Sequence, residues 1–216
     1  MKIGMIVAMD KELKQLRPLF SEDKVILQKS GIGKVNAAIQ AVEMIKNYKP
    51  DAIISSGCAG GNGDDINVQD VIVSSQLAYH DVYCGTAIDN TTQYGQVQGL
   101  PARFEADPYL LGKAREISNN DYQFAIHDGL IVTGDWFVDS KDKMREIIGH
   151  FPDAKAVDME SAAIAQACYI YKVPFISFRV ISDIPLRDTD ASMYHDFWNS
   201  IAEHSFKVTK SFIESL

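Results

Sequence analysis

The chain has 216 residues, of which 46% are hydrophobic and 23% charged, and it carries a net charge of −8. This length and composition are typical of one globular domain with a sizeable core. The basic residues form no cluster of the kind that nucleic-acid-binding surfaces carry, so we expect no nucleic-acid partner. No apolar run approaches the ~20 residues of a membrane span, so we expect no membrane contact.

The cysteines and histidines indicate the cellular compartment and whether a metal site is present. Cys58, Cys84 and Cys168 form no CxxC pair, and their odd number favours free thiols in a reducing compartment. The apolar run at residues 3–9 is too short for a signal peptide core, so we expect a cytoplasmic protein. The histidines show neither HxH nor HExxH spacing, and the sequence predicts neither a metal site nor a cofactor.

The first elements are a strand over residues 2–9 and a helix that Asp10 would cap, with Glu12 in its first turn. A glutamate in a first turn is favourable because of the helix dipole alone, so Glu12 does not by itself indicate a site. A short strand over residues 24–29 then leads through a turn at 30–34 into a second helix. The apolar spacing predicts the buried face of this helix: Val35, Ala38, Ile39, Val42 and Ile45.

The turn at residues 30–34 has the sequence Ser-Gly-Ile-Gly-Lys, which is similar to two phosphate-binding motifs and satisfies neither. A P-loop requires glycine where Gln28 stands, and a dinucleotide fingerprint requires Gly or Ala where Asn36 stands. We therefore expect these glycines to allow a tight turn and a close approach of the backbone to a small molecule. A dinucleotide-binding regulator is disfavoured.

A third strand is predicted over residues 52–56, followed by a glycine-rich loop over 57–63. The amides of that loop could line a pocket, or the loop could be an ordinary surface segment. The next strand, residues 71–75, extends towards His80, for which a structural role is favoured because no nucleophile motif accompanies it. Residues 82–103 predict a long irregular segment, either a lid or a partner-contacting loop.

The following region predicts a helix from Asp107 and a strand over residues 124–133, then a helix capped by Ser140. A long C-terminal helix is predicted to carry Phe197, Ile201, Val208 and Phe212. Trp136 and Phe137 lie in the loop after the strand, where they could stack on a flat ring or fill the core. Alternating strands and helices predict a single α/β domain over residues 1–216 with a parallel or mixed sheet.

Residues 154–183 predict a strand over 154–159, a helix opened by Glu160, and a strand over 174–181. Glu160 and Asp183 lie where the two strands stop, with Arg179 just before the second. Ligands of open α/β sheets bind at strand ends. Either acid alone could be a helix cap or a solvated loop residue, but two such ends in one unit indicate a site.

Together these segments resemble the 5′-methylthioadenosine/S-adenosylhomocysteine nucleosidases of the nucleoside phosphorylase superfamily. The resemblance extends over nearly the whole chain, and its marks are MKIGMIVAMDKEL, SGIGKVNAA, SSGCAGG, the GDWF segment, AVDMES and FRVISD. It implies a single domain with a central mixed β-sheet flanked by helices, a homodimer, and a small-molecule nucleoside substrate. The implied reaction is hydrolysis of the bond between adenine and a 5′-thio-substituted ribose.

The resemblance also implies roles for individual residues. Glu12 matches the base that activates water, Asp183 the acid that protonates the purine, and Arg179 lies where the family positions the nucleophilic water. The implied substrate contacts are Met159 and Glu160 at the ribose hydroxyls, Phe137 and Val138 at adenine, Ile32, Met9 and Tyr194 at the ribose and 5′ group, Cys58 where bacterial relatives have a serine near the water, and Ser182 beside the acid. Residues 82–98 lie where the family helps to form the neighbouring subunit's 5′ pocket.

The residues are consistent with this chemistry. Cleavage of an N-glycosidic bond by water needs an acid and a base separated by the substrate. Asp183 must be protonated while Glu12 is ionised, so their environments must separate the two pKa values. Two alternatives are a hydrolase or phosphorylase of another purine nucleoside, such as futalosine, and a non-catalytic nucleoside-binding homologue. A phosphorylase needs a cationic anion site, for which the turn at residues 31–34 offers only Lys34.

Overall fold

The computed structural model describes residues 1–21, 23–85, 90–117, 122–187, 192–200 and 206–216. The strands are β1 (Ile3–Val7), β2 (Val25–Lys29), β3 (Ala52–Gly61), β4 (Val71–Tyr79), β5 (Phe104–Glu105), β6 (Ile126–Thr133), β7 (Ala154–Asp158) and β8 (Phe175–Asp183). The helices are α1 (Asp10–Leu16), continued by a short 3₁₀ helix (Arg17–Leu19), α2 (Lys34–Tyr48), α3 (Pro108–Arg115), α4 (Lys141–His150), α5 (Ser161–Tyr171), α6 (Ser192–Ser200) and α7 (Lys207–Glu214). None of the helices in these ranges is both long and apolar enough to cross a membrane.

The strands form one mixed sheet that closes on itself. β1 lies between β2 and β3, and both pairings are parallel. β3 then pairs in parallel with β8, β8 pairs antiparallel with β4, β4 pairs in parallel with β6, and β6 in parallel with β7. β7 returns to β3 at Gly60 and Gly61 in antiparallel orientation. The predicted α/β domain with a central mixed sheet flanked by helices is therefore confirmed.

Apolar side chains pack on both faces of this sheet, because successive residues of a strand point to opposite sides. In β1, Met5 and Val7 pack in a cluster that includes Phe197 and Phe212 of the C-terminal helices. Ile6 packs on the other side, in a cluster that includes Met44 and small residues of α2 and α5. The two layers hold the strand ends, and the loops that follow them, in fixed relative positions.

The predicted glycine-rich loop at residues 57–63 is wrong for most of its length, since β3 continues to Gly61. The glycines serve close packing inside a strand. A Cβ on Gly57 would lie 2.6 Å from Glu12 Oε1 and 2.7 Å from Arg179 Nη1, so only glycine leaves room for both charged groups. The register shifts between Ala59 and Gly60, at the point where β3 leaves β8 and meets β7.

The predicted buried face of α2 is correct only in part. Val35 and Ile39 are 69% and 55% exposed, whereas Ala37, Ala41 and Met44 are fully buried. Small alanines let the helix approach α5 closely, and Ala38, Val42 and Ile45 of the predicted face are partly buried against the same core cluster. The apolar periodicity therefore identified the helix and part of its buried face, and was wrong for Val35 and Ile39.

Other local predictions divide in the same way. Ser140 caps α4 as predicted, since its side chain accepts a backbone N–H. A helix was predicted to start at Asp107, and its side chain accepts two N–H groups as the N-cap of α3. Asp10 does not cap α1; it is the first helical residue after Met9, and its carboxylate lies 2.8 Å from Lys29 Nζ. The predicted long C-terminal helix is described as α6 and α7, with a turn at 206, while Ile201 lies outside the described residues.

Candidate active site

The ends of β1, β3, β7 and β8 and the loop after β6 line one pocket of about 620 Å³, part of it open to solvent. Concave sites that combine apolar side chains with a few polar groups are typical of small-molecule binding. All of the site residues predicted from the sequence line it except Arg179. The lining also includes Ala8, Ala59, Gly60, Trp136, Val157 and Asp158.

Glu12 lies at the end of the pocket formed by β1 and β3 and is only 2% exposed. Its Oε2 accepts the N–H groups of Ala8 and Met9 at donor–acceptor distances of 2.8 and 2.9 Å, and its Oε1 accepts that of Cys58 at 2.9 Å. Burial raises the pKa of Glu12 above its ordinary value, while the nearby Arg179 charge and the three amides act in the opposite direction. The carboxylate is thus fixed in place and more basic than one on the surface.

Arg179 is buried beneath the pocket rather than lining it. Its Nε lies 2.6 Å from Asp158 Oδ2, and its Nη2 lies 2.9 Å from Ser55 Oγ and 3.9 Å from Glu160 Oε2. Burial disfavours its charge, but the surrounding carboxylates outweigh that effect and raise the pKa of Arg179. The guanidinium is a permanent buried cation among the site carboxylates.

Asp158 is the central residue that sequence reasoning missed. Besides Arg179, its carboxylate accepts the hydroxyl of Thr133 at 2.5 Å, and both the hydroxyl and the N–H of Ser161. The available signal was an acid inside the apolar strand of the AVDMES motif, because an acid is rarely fully buried unless it is paired.

Glu160 is the N-cap residue of α5, but its side chain makes no capping hydrogen bond. Its Oε1 instead accepts the N–H of Gly33 at 3.0 Å across the pocket. Burial, and after it the Asp158 charge, raises the pKa of Glu160 to about 7. The alternative that Glu160 is merely a capping side chain is therefore wrong.

Asp183 ends β8 on the side of the pocket formed by that strand, and it is 6% exposed. The hydroxyl of Ser182 lies 2.7 Å from Asp183 Oδ1 and 3.3 Å from the carbonyl oxygen of Ala59. Asp183 is therefore a buried strand-end carboxyl and not a solvated loop residue.

Aromatic side chains form the open side of the pocket. The rings of Phe137 and Tyr194 meet edge to face with centroids 5.3 Å apart, and the Tyr194 hydroxyl lies 3.7 Å from Met9 Sδ. Phe137 is 46% exposed, so one face of its ring is accessible to a flat ligand. Trp136 also lines the pocket and has Lys143 Nζ 4.6 Å from its ring centroid.

Comparisons with known proteins match nearly the whole chain to one family. Residues 11–214 match the model of the phosphorylase superfamily. The 5′-methylthioadenosine/S-adenosylhomocysteine nucleosidase of Exiguobacterium sp. is 37% identical over all of this chain and 99% of its own length. The corresponding nucleosidase of S. pneumoniae, solved with the transition-state inhibitor MT-ImmA, superposes with a TM-score of 0.90 at 34% identity, covering 100% of this chain and 99% of that one. The chain belongs to the 5′-methylthioadenosine/S-adenosylhomocysteine nucleosidase family.

A second solved structure, the nucleosidase of Colwellia psychrerythraea in complex with adenine, superposes with a TM-score of 0.91 at 31% identity, covering 100% of this chain and 96% of that one.

Cys58 is the family position at which this sequence differs from the serine of bacterial relatives. Its half-buried side chain lines the pocket, and burial followed by the Glu12 charge raises the pKa of the thiol well above its ordinary value. A neutral thiol is a poor nucleophile.

The sequence offered only Lys34 as a cation for an anion site near the turn at residues 31–34. Among the described residues, the pocket lining contains neither lysine nor arginine. Lys34 Nζ lies 2.7 Å from both carboxylate oxygens of Asp81 and 3.7 Å from Asp135 Oδ2. The charge of Lys34 is therefore already paired.

Proposed function

We propose that this protein hydrolyses the N-glycosidic bond of 5′-methylthioadenosine and S-adenosylhomocysteine, releasing adenine and the 5′-thio-substituted ribose. The observation that carries the proposal is the convergence of three buried carboxyl groups, those of Glu12, Glu160 and Asp183, around one pocket. The chain aligns end to end with nucleosidases that carry this activity in their names.

In the proposed reaction, Asp183 donates a proton to the purine ring as the bond between C1′ and N9 breaks, and the electron pair of that bond remains on the base. A water molecule attacks C1′ from the opposite side of the sugar and transfers a proton to Glu12. Acid and base catalysis of this kind contributes about 10²–10⁴-fold each to a rate. Glu160, when ionised, accepts hydrogen bonds from the ribose hydroxyls and lies close to the positive charge that develops on the sugar.

Arg179 has an indirect part in this scheme, because it lies beneath the pocket and not in it. Its charge stabilises the ionised forms of Glu12 and Glu160, whose pKa values it lowers against the effect of burial. We therefore propose that Arg179 favours the ionised forms of these two carboxyl groups and holds them in position, without touching the substrate.

Water is the proposed acceptor rather than phosphate. A phosphate ion would need free donors or cations, but the N–H groups around Glu12 are occupied by its own carboxylate. Two N–H groups at the start of α2, where an anion would otherwise be attracted, already donate to carboxylates: that of Gly33 to Glu160 and that of Lys34 to Asp135. A phosphate placed in this pocket would face carboxylates on several sides.

The test is to incubate the protein with methylthioadenosine, adenosylhomocysteine, inosine and futalosine, with and without phosphate, and to identify the sugar product. We expect adenine and methylthioribose to form from methylthioadenosine in phosphate-free buffer. Strict dependence on phosphate, with a sugar 1-phosphate as product, would contradict hydrolysis. Preferential cleavage of inosine or futalosine would contradict the substrate assignment.

We further propose that the protein is a homodimer that works in the cytoplasm, a compartment in which its three free thiols would stay reduced. The support for a dimer is an apolar surface on α2 and the C-terminal part of α5, named here the α2–α5 face. Its exposed residues are Val35, Ile39, Tyr169, Ile170 and Tyr171. Exposed apolar surfaces often mark sites of protein–protein contact.

A further inference from the structure

One polar network outside the pocket connects the two halves of the candidate site. The N–H of Lys34 donates to Asp135 Oδ1 at 2.8 Å, and the N–H of Asp135 donates to Asp81 Oδ2 at 2.8 Å. Lys34 Nζ closes the network on Asp81 at 2.7 Å. Three segments meet here: the start of α2, the end of β4, and the loop from β6 to α4.

The start of α2 has no capping side chain of its own. Gly33 is the N-cap with a φ of 94°, a conformation that favours glycine, and a Cβ there would lie 2.9 Å from Asp135 Oδ1. The unpaired N–H groups of the first turn therefore need acceptors from elsewhere. Glu160 accepts the N–H of Gly33 from one side, and Asp135 accepts the N–H of Lys34 from the other.

These two acceptors belong to different parts of the site. Asp135 directly precedes Trp136, Phe137 and Val138, which line the pocket on the side proposed for the base. Glu160 lies on the side proposed for the ribose. The first turn of α2 therefore lies between the base-side loop and the ribose-side carboxylate and is hydrogen-bonded to both.

We propose that Asp135 is a positioning residue that sets the distance between the base-binding and ribose-binding sides of the pocket. The inference rests on the proposed nucleosidase function, because it assigns base and ribose to those sides. Asp135 acts through Lys34 and Gly33 and does not touch the substrate.

The network matters through its geometry more than through its ion pairs. The side chains of Lys34, Asp81 and Asp135 are 23%, 26% and 47% exposed, and ion pairs so accessible to water contribute little to stability. The backbone hydrogen bonds, in contrast, fix where α2 begins relative to the base-side loop. A displacement of about 1 Å between binding groups can cost a large factor in productive binding.

The experiment compares Asp135→Ala and Asp135→Asn with a control, Asp153→Ala. Asp153 is 54% exposed, pairs with Arg103 at 2.6 Å, and lies outside the pocket. For each protein we would measure kcat and KM for methylthioadenosine, the affinity for adenine alone, the affinity for an adenine C-nucleoside that cannot be hydrolysed, and the melting temperature.

For Asp135→Ala we expect KM and the C-nucleoside Kd to rise about tenfold, with kcat within about threefold, because the acid and the base stay in place. Adenine alone touches only one side, so its affinity should stay within about threefold. Asp135→Asn keeps an acceptor for the Lys34 N–H and should bind the nucleoside like the parent, as should the Asp153→Ala control.

Three results would overturn the inference: parent-like nucleoside binding by Asp135→Ala, equal effects of Asp135→Ala and Asp153→Ala, or a proportional loss of adenine and nucleoside affinity. Failure of the proposed function would look different. In that case the parent itself would release no adenine from methylthioadenosine.

Discussion

At the scale of single residues, the carboxyl groups of the pocket differ in what they accept. Glu12 accepts three backbone N–H groups, Glu160 accepts one, and Asp183 Oδ1 accepts a serine hydroxyl. Hydrogen bonds from fixed donors favour the ionised form of a carboxyl group, whereas burial favours the neutral form. The three amides thus favour the ionised form of Glu12, which is the form that the proposed activation of water requires.

The first prediction concerns the base. Glu12→Gln should lower kcat by about 10²–10⁴-fold, because the amide cannot take a proton from water. It should also destabilise the fold by about 1–3 kcal/mol, because one backbone N–H would face an NH₂ group instead of an acceptor. Activity would be measured well below the melting temperature. Glu214→Gln, at an exposed position of α7, is the matched control, and parent-like turnover by Glu12→Gln would leave Glu12 with a structural role only.

The acid is tested by Asp183→Asn. The amide can donate to N7 of adenine and accept from its amino group, the pattern that a protonated carboxyl presents. Substrate affinity should therefore stay within about tenfold of the parent, or ~1.4 kcal/mol. Turnover should fall by about 10²–10⁴-fold, since an amide does not give up its proton to the leaving base. A variant that loses stability but keeps its kcat would reject the acid assignment.

Glu160 predicts a pH dependence of stability. Its pKa of about 7 in the folded protein lies above its ordinary value of 4.5. Between pH 4.5 and pH 7 the folded state binds more protons than the unfolded state, so protonation of Glu160 favours folding. This contribution of Glu160 to the free energy of unfolding is complete below about pH 4.5 and is lost as pH rises through 7. Glu160→Gln removes it while keeping an acceptor for the Gly33 N–H. Denaturant unfolding at pH 5 and pH 8 should show the variant gaining stability relative to the parent at pH 8; parallel pH profiles would contradict the raised pKa.

At the scale of elements, the junction of β7 and α5 organises the site. Asp158 ends the strand, anchors Arg179, and accepts the first N–H of the helix from Ser161. Because of this cap, the Glu160 side chain is not needed at the helix end and can face the pocket. One short segment thus supplies both the buried counter-ion and the proposed ribose carboxylate.

Asp158→Asn should therefore destabilise the protein by about 3–5 kcal/mol, because it leaves the Arg179 charge buried without its closest counter-ion. Asp153→Asn breaks an ion pair whose partners are 34% and 54% exposed, and it should cost no more than about 1 kcal/mol. Urea unfolding of both variants and the parent gives the comparison. Equal losses in the free energy of unfolding would mean that the buried Arg179–Asp158 pair contributes no more to stability than the exposed Arg103–Asp153 pair.

Elements also show what the sequence could predict. Caps at Asp107 and Ser140 are local, so the chain order of residue types was sufficient to predict them. The buried face of α2 could be identified only in part, since apolar residues lie on both sides of that helix and only packing decides that Val35 and Ile39 stay exposed. The glycines of β3 were predicted as a loop for a similar reason. Gly57 is needed inside the strand because Glu12 and Arg179, which are far from it in sequence, leave no room for a Cβ.

At the scale of the whole molecule, the site is built from contacts between distant segments. Arg179 and Ser55 are 124 positions apart, and Glu160 and Gly33 are 127 apart. The sheet brings them together by closing β3 onto both β8 and β7. Residue patterns predicted where the strands of the site end, and the family resemblance suggested roles for the residues there. The closed sheet explains in addition why Arg179 lies beneath the pocket.

The last prediction concerns the α2–α5 face. Val35 and Ile39 are one helical turn apart on α2, and Ile170 and Tyr171 line the same apolar groove as Val35. A homodimer would cover these side chains with a second copy of the same face, as a two-fold interface requires. Ile39→Glu would place a charge in that interface and should weaken self-association by at least about tenfold.

Sedimentation velocity tests this prediction over micromolar concentrations. The parent should sediment as a species of twice the 24.0 kDa chain mass, and Ile39→Glu should shift towards the single chain. Tyr109→Glu, at a position of α3 that is 52% exposed, is the matched control and should sediment like the parent, because it adds the same charge away from the α2–α5 face. A monomeric parent would reject the dimer. A parent-like mass for Ile39→Glu would place the interface elsewhere on the molecule.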